Sequence, residues 1–393
     1  MMKGPRVREK DYQKLEIFQA IASDEQLSRK DIIHKLSLRS STVSAAVSEL
    51  LSDGLVLEAE KKDSGRPGRP EFGLIPLYQK FVAISVHMSG LNLFVHLLNL
   101  KGELLVSRTV PVDSGVDNNT FNIILENALT EVIHALPSTS ILTGVGASFM
   151  GRVDSENYRW VGSDRWQNIK DYELGWIIDK LNIPLRVERN LDQELTYLLM
   201  GLHTERNQTE NALLFHWGHG VGAAYAHSGL LMKSSFGEFS DIGHTTILPH
   251  SSDQCRCGAF GCLETKTALW ALLPSLRRKF PELSENTPDI ARYLNQPSVI
   301  DLPEVNEAIT WIEVWLTNLF KILFPERIYF VGPFFQNHFI RSSVEKRFLE
   351  RISPMLRERI VIKVVPDGFA GCITANASHF LQTRLLELLR SRW

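Results

Sequence analysis

The chain has 393 residues, 44% of them hydrophobic, with a formal net charge of −2 at pH 7. That length predicts two or three domains with sizeable cores, and the near-neutral charge excludes a chain that binds nucleic acid through overall basicity. Four cysteines do not make a disulfide scaffold, no stretch approaches the roughly 18 apolar residues of a membrane span, and the polar start Met1–Lys14 lacks an apolar signal core, so a cytoplasmic protein with no membrane insertion is expected.

Leu15, Ile17, Phe18 and Ile21 recur at helical spacing and predict a first helix within 11–26. Ser28, with Asp31 three residues on, predicts the cap of a second helix through Leu36. A third starts at Ser40 or Ser41 and stops at Asp53-Gly54, where glycine suits a C-terminal cap. Leu36, Leu38, Val43, Val47 and Leu50 would hold these helices together. Two short helices joined by a tight turn are the helix-turn-helix pattern. Residues 1–70 hold 13 Lys and Arg against 11 Asp and Glu, so a DNA-binding reading rests on motif and not on charge. Arg39, Ser40, Ser41, Thr42, Ser44 and Ala45 would face the major groove of double-stranded operator DNA. Leu55–Glu60 and Phe72–Ile75 read as the two strands of a wing. Its tip carries Gly-Arg-Pro twice, placing Arg66 and Arg69 to enter a narrow minor groove; a flexible linker is the alternative.

Three β-rich runs, Phe81–Met88, Leu91–Leu100 and Glu103–Val112, form a meander with turns at Ser89-Gly90 and Lys101-Gly102. Helix Asn119–Leu136, strand Ile141–Phe149, helix Trp176–Leu181, strand Leu185–Arg189 and helix Leu191–Leu202 follow. A second meander covers Ala212–Trp217, Val221–Ala226 and Leu230–Lys233. Helices Glu264–Phe280 and Val305–Leu323, strand Arg327–Val331, helix Phe339–Ile352, strand Ile360–Val365 and a terminal helix from Phe369 complete the chain. Two meanders, each followed by alternating helices and strands, predict a duplicated α/β fold with a cleft between lobes. The tail Phe380–Leu389 reads as an amphipathic helix packed on its own lobe; packing back on the first lobe, or supporting a subunit contact, are the alternatives. The expected domains are 1–78, 79–198 and 199–393. Cys372, in an apolar stretch, reads as a buried core thiol.

Cys255, Cys257 and Cys262 fall within eight positions, and His244 lies eleven residues upstream. Thiolates and an imidazole are the donors of closed tetrahedral zinc sites, so a structural Zn²⁺ is expected. Incidental loop thiols are the alternative; redox catalysis lacks its Cys-x-x-Cys pair.

The runs Asp241-Ile242-Gly243-His244 and Cys255-Arg256-Cys257-Gly258-Ala259-Phe260-Gly261-Cys262-Leu263-Glu264 resemble the ROK family of repressors, uncharacterised frames and sugar kinases, and the resemblance covers nearly the whole chain. It implies a two-lobed actin/hexokinase-like (ribonuclease H-like) ATPase fold. The helix-turn-helix in front resembles the repressor branch responsive to glucose and N-acetylglucosamine. The resemblance also implies that Asp241 and Glu264 contact sugar beside the metal ligand His244, and that Glu188 stands where relatives hold a sugar-contacting Asn.

The kinase parts are largely missing. Family kinases open with Asp-x-Gly-Gly-Thr, where this chain has Ile84-Ser85-Val86-His87-Met88-Ser89. Their general base is an Asp where Arg189 stands, and an arginine cannot accept that proton. The second phosphate loop, Gly218–Gly222, carries His219 in place of a hydroxyl residue, and the adenosine-side Gly-Gly is Gly332-Pro333. The expected function is therefore a non-enzymatic, sugar-responsive transcriptional repressor, a homodimer or homotetramer. Its cleft would take a sugar or sugar-phosphate effector through Glu188, Arg189, Asp241, His244 and Glu264. Control by a docked phosphotransferase-system protein is a family alternative, and a sugar kinase with an appended DNA-binding domain is the rival reading.

Overall fold

The computed structural model describes residues 9–24, 26–60, 72–202, 210–233, 239, 241–285, 287, 290–366, 368 and 370–389. Arg66 and Arg69 lie outside the described residues. The chain opens with helices Glu9–Ser23, Arg29–Leu36 and Ser40–Ser52, then an antiparallel hairpin of Val56–Glu60 with Phe72–Pro76. The second helix starts as the sequence dictates: Ser28 Oγ accepts from the Asp31 N–H while the Asp31 carboxylate accepts from the Ser28 N–H. The third stops at Asp53, and Gly54 takes a φ of +69°. Ile17, Ile21, Ile32, Val43, Val47, Leu50 and Leu74 close one small core, with Leu36 and Leu38 packed at its edge. Leu74 also bridges to Leu27, tying the hairpin to the connection between the first two helices.

The body contains two five-stranded sheets of identical topology. In the first the order is Leu185–Arg189, Ile141–Phe149, Phe81–Ser89, Asn92–Asn99, Leu104–Pro111; in the second it is Val361–Val364, Arg327–Val331, Ala212–Trp217, Val221–His227, Leu230–Leu231. Each is an antiparallel meander with two parallel strands added on the side of its first strand. The expected duplication is thus present in topology.

Each sheet carries its main core on one face. Helix Asn118–His134 covers the first sheet, and helices Leu269–Arg277, Pro303–Leu323 and His338–Glu350 cover the second. The opposite faces are closed by an exchange of helices. Helix Asn190–Leu202, which leaves the first sheet, packs through Leu195 and Leu199 on the second. Helix Ala370–Leu389, which leaves the second sheet, crosses the first, and the two helices pack against each other. The tail therefore does not rest on its own lobe. Its approach is close: a Cβ on Gly146 would come within 2.2 Å of the Asn376 carbonyl. Asn376 Nδ2 donates to the Val86 carbonyl and to Ser148 Oγ, both at 3.0 Å.

Two other expectations change. The predicted helix Glu264–Phe280 is broken at Ala268 (φ −68°, ψ 151°), which frees the Leu269 N–H to donate to the Gly218 carbonyl at 3.0 Å. A three-stranded sheet, Arg152–Asp154, Arg159–Gly162 and Lys170–Glu173, occupies a stretch read without elements.

Cys372 is buried as expected, against Glu194 at the start of the terminal helix. Burial pushes the Glu194 carboxyl up to about 7, offset in part by the N–H groups of Cys372 and Gly371. The folded chain therefore holds a proton that the unfolded chain releases nearer pH 4.5, so this group's contribution falls as pH rises from about 4.5 to about 7. Glu194→Gln should raise stability at pH 8 by up to about 3 kcal/mol and leave it unchanged near pH 4; denaturant titrations at the two pH values check this.

Candidate functional site

The four residues expected to hold a metal come together in the structure. One donor atom from each of His244, Cys255, Cys257 and Cys262 lies within 4.8 Å of all the others. Cys255 Sγ is 3.4 Å from His244 Nδ1, and Cys257 Sγ is 3.8 Å from Cys262 Sγ. Tetrahedral bonds of about 2.3 Å to sulfur and about 2.0–2.1 Å to nitrogen give edges of about 3.6 Å (S···N) and about 3.8 Å (S···S), so the donor set fits one ion. The Cys255 N–H donates to the Ala259 carbonyl, and the Gly261 N–H to the Asp253 carbonyl, which folds the loop back on itself. The outward nitrogen, His244 Nε2, faces Asp164 Oδ2 at 3.5 Å and Asp241 Oδ1 at 3.8 Å. A carboxylate behind a ligating imidazole fixes the ring's orientation.

His244 is also the corner of a cavity of about 370 Å³ between the lobes. Asp241, Glu264 and Arg189 line it with His244; Glu188 does not. Glu188 is buried beneath, where Arg186 Nε and Ser155 Oγ donate to it at 2.8 and 3.1 Å and Lys233 pairs with it. Burial opposes its charge, but Lys233 and Arg186 win and hold the carboxyl below its ordinary range. Its acceptors are thus taken up by an ion-pair network joining the lobes, because Lys233 belongs to the second. Arg189 does the same at the base of the cavity: its Nη2 donates to Asp192 Oδ1 at 2.9 Å and to the Ala223 carbonyl, across the cleft, at 2.7 Å. Its Nε is buried with no hydrogen-bond partner among the described residues.

Asp241 is exposed, at 63% of its side-chain surface, whereas Glu264 is buried and accepts from the Val221 N–H at 2.8 Å. Burial raises the Glu264 carboxyl, opposed by His244. His219 shares the cavity, and its imidazole is pushed down to about 3, first by burial and then by Arg165, His216 and Arg256. The positive field there belongs to the site.

Residues that sequence reasoning missed also line it: Arg152, Asp164, Arg165, His216, Arg256 and Trp270 among them. Asp164 and Arg165 ride on a loop pinned by Trp166, whose Nε1 donates to the Asp113 carbonyl at 3.2 Å and whose ring meets Trp160 edge-on. The available signal was position: Arg152 follows the C-terminal end of strand Ile141–Phe149, where open α/β sheets place their ligands.

At the other end of the molecule, helix Ser40–Ser52 buries Val43, Ala46, Val47 and Leu50 and exposes Ser40, Ser41, Ser44 and Ala45, with Arg39 exposed just before it and Thr42 half-buried. The predicted contact residues therefore share a solvent face, compatible with a DNA-binding domain.

The pattern of the ROK family matches residues 83–376. The chain belongs to the ROK family. Among its relatives is the DNA-binding transcriptional repressor Mlc of Escherichia coli K12, 24% identical over 63% of this chain and 60% of that one, so the match leaves about two-fifths of Mlc uncovered. The xylose repressor of Bacillus spizizenii W23 is 23% identical over 86% of this chain and 87% of its own. A crystal structure of a ROK family transcriptional regulator, described as a homologue of the E. coli Mlc protein, superposes with a TM-score of 0.70 at 19% identity, covering 97% of this chain and 99% of that one. The two-lobed ROK fold expected from the cysteine run is therefore the fold of this chain.

Proposed function

We propose that this ROK protein is a sugar-responsive transcriptional repressor without kinase activity. The observation that carries the reading is Arg189. It stands where a ROK kinase needs its base, and it is spent on Asp192 and on the backbone of the opposite lobe. Repressors among its relatives support the same reading, one of them named for xylose. The helix Ser40–Ser52 and the hairpin behind it act as a winged helix-turn-helix on cytoplasmic operator DNA, with the Gly-Arg-Pro repeats of Arg66 and Arg69 in the minor groove. One such helix reads few bases, so a homodimer presents two. The four-donor loop holds a structural zinc, which leaves no coordination position open for substrate and fixes the loop between Asp241 and Glu264. The effector enters the cleft beside those two carboxylates, and closure of the lobes changes the spacing of the recognition helices.

The double change Arg66→Ala, Arg69→Ala should weaken operator binding and reduce the slope of log K against log salt by about 1–2. Unchanged binding would reduce that segment to a linker. A coupled assay for ADP release in the presence of hexoses and amino sugars should show no turnover. Sugar-dependent turnover abolished by Arg189→Ala would instead establish the kinase reading.

A further inference from the structure

The cleft is lined by charges of both signs. Four guanidiniums line the cavity, from Arg152, Arg165, Arg189 and Arg256, against the carboxylates of Asp164, Asp241 and Glu264. Arg189 is paired with Asp192, and Arg256 with Glu285 at 2.5 Å while it covers the face of Trp270 at 4.9 Å. For Arg152 and Arg165, no carboxylate among the described residues lies within ion-pair distance. Arg165 Nη2 donates only to a carbonyl, that of Glu285, at 3.2 Å, and its Nε is buried with no partner among the described residues.

These two arginines sit on adjoining loops. Gly151 has a φ of +81°, and a Cβ there would come within 2.3 Å of the Gly162 carbonyl and 2.8 Å of Ser163 Cα. The backbone just before Arg152 is therefore packed against the backbone two residues before Arg165. Both arginines reach the cavity from the first lobe. On the other side, Asp241 and Glu264 supply acceptors suited to hydroxyl groups.

A guanidinium with no carboxylate at ion-pair distance matches a phosphate or carboxylate with two parallel hydrogen bonds. A neutral sugar offers only hydroxyls. We propose that the cleft is built for an acidic sugar, one bearing a phosphate ester or a carboxylate, with the acid seated between Arg152 and Arg165 and the hydroxyls turned to Asp241 and Glu264. The proposal rests on the reading of this cleft as an effector site. The volume of about 370 Å³ lies at the small end of ligand pockets, about 300–1,000 Å³, which suits a monosaccharide carrying one such group.

The test is titration calorimetry of the full-length, metal-loaded protein with matched probes: glucose, glucose 6-phosphate and glucuronate, then N-acetylglucosamine and its 6-phosphate. Operator binding is followed in parallel. At least one acidic sugar should bind roughly 10–100-fold more tightly than its neutral parent, and more weakly as salt rises. A preference for the 6-phosphate assigns a phosphate subsite; a preference for glucuronate assigns a carboxylate subsite. Arg165→Gln and Arg152→Gln should each narrow the gap by roughly 10-fold while leaving the neutral parent's affinity alone. Arg152 is exposed and makes no ion pair among the described residues, so its variant keeps the test valid if Arg165→Gln does not fold. Neutral parents that bind as tightly as the acids and release the operator would overturn the proposal and leave the sugar-responsive reading standing. If no sugar of either charge binds or changes operator affinity, both fall.

Discussion

Cys262→Ser should abolish metal binding and unfold the loop that edges the cleft. Cys262 is fully buried, 3.8 Å from Cys257 Sγ, and its carbonyl accepts from the Thr265 N–H and hydroxyl, so the residue also anchors the turn into Glu264. Metal analysis should fall from about one zinc per chain to none. Small zinc-finger peptides draw about 10–16 kcal/mol from the ion; this lobe has a large core of its own, so the expected loss is a fraction of that, about 3–5 kcal/mol. The accompanying change is more specific. Glu264 is held by the Val221 N–H and by Trp270 Nε1 at 3.5 Å, and once the loop moves both contacts go. Effector response should therefore be lost even in the fraction that stays folded. Chelation of the wild-type protein should reproduce both effects, and readdition of zinc should reverse them. A metal-free protein with unchanged thermal stability and full response would contradict the assignment.

Lys14→Ala should destabilise the protein by about 3 kcal/mol and detach the N-terminal module from the body. Lys14 is 3% exposed, and its ammonium donates to Glu49 at 2.8 Å, to Asp53 at 3.1 Å and to the Leu388 carbonyl at 2.8 Å. One charge thus joins the first helix, the C-terminal end of the proposed recognition helix and the last turn of the terminal helix. The hydrophobic side of this junction is continuous, since Leu388 and Leu389 belong to the same core as Ile17, Val47 and Leu50. Alanine removes the cation and leaves the Asp53 carboxylate, also 3% exposed, without it. Glu49→Gln should cost little, as Glu49 is 29% exposed. Denaturant titration measures the stabilities, and limited proteolysis reports detachment. The same contact links the ends of the molecule: the terminal helix packs along helix Asn190–Leu202, whose first residues line the cleft.

Features set by neighbours in sequence were legible. The capping box at Ser28, the glycine stop after Asp53 and the strand Leu185–Arg189 are written within a few residues, and the structure has each of them. The run from Glu264 to Phe280 was not legible in the same way. Its residues, Pro274 apart, are mostly helix formers, yet Ala268 leaves the helix so that Leu269 can bond to Gly218 in a distant hairpin. The strands of Arg152–Asp154 and Arg159–Gly162 are too short to show a period; they are held by antiparallel pairing with each other and with Lys170–Glu173, and by Trp160 stacked on Phe149 at 4.7 Å. With them went the loop that brings Asp164 and Arg165 to the cleft.

The order and type of the main elements and the clustering of His244 with Cys255, Cys257 and Cys262 were legible in the sequence alone, because each depends on residue identity at short spacing. Tertiary structure decided the rest. Glu188 and Arg189 stand side by side at the end of one strand, and their charges suggested a ligand site for both; folding gave Glu188 to Arg186 and Lys233 and left Arg189 at the cavity floor. Alternate residues of a strand point to opposite faces, so neighbours in sequence enter different environments, and only the packed lobes determine which of the two reaches the cavity and which lies beneath it.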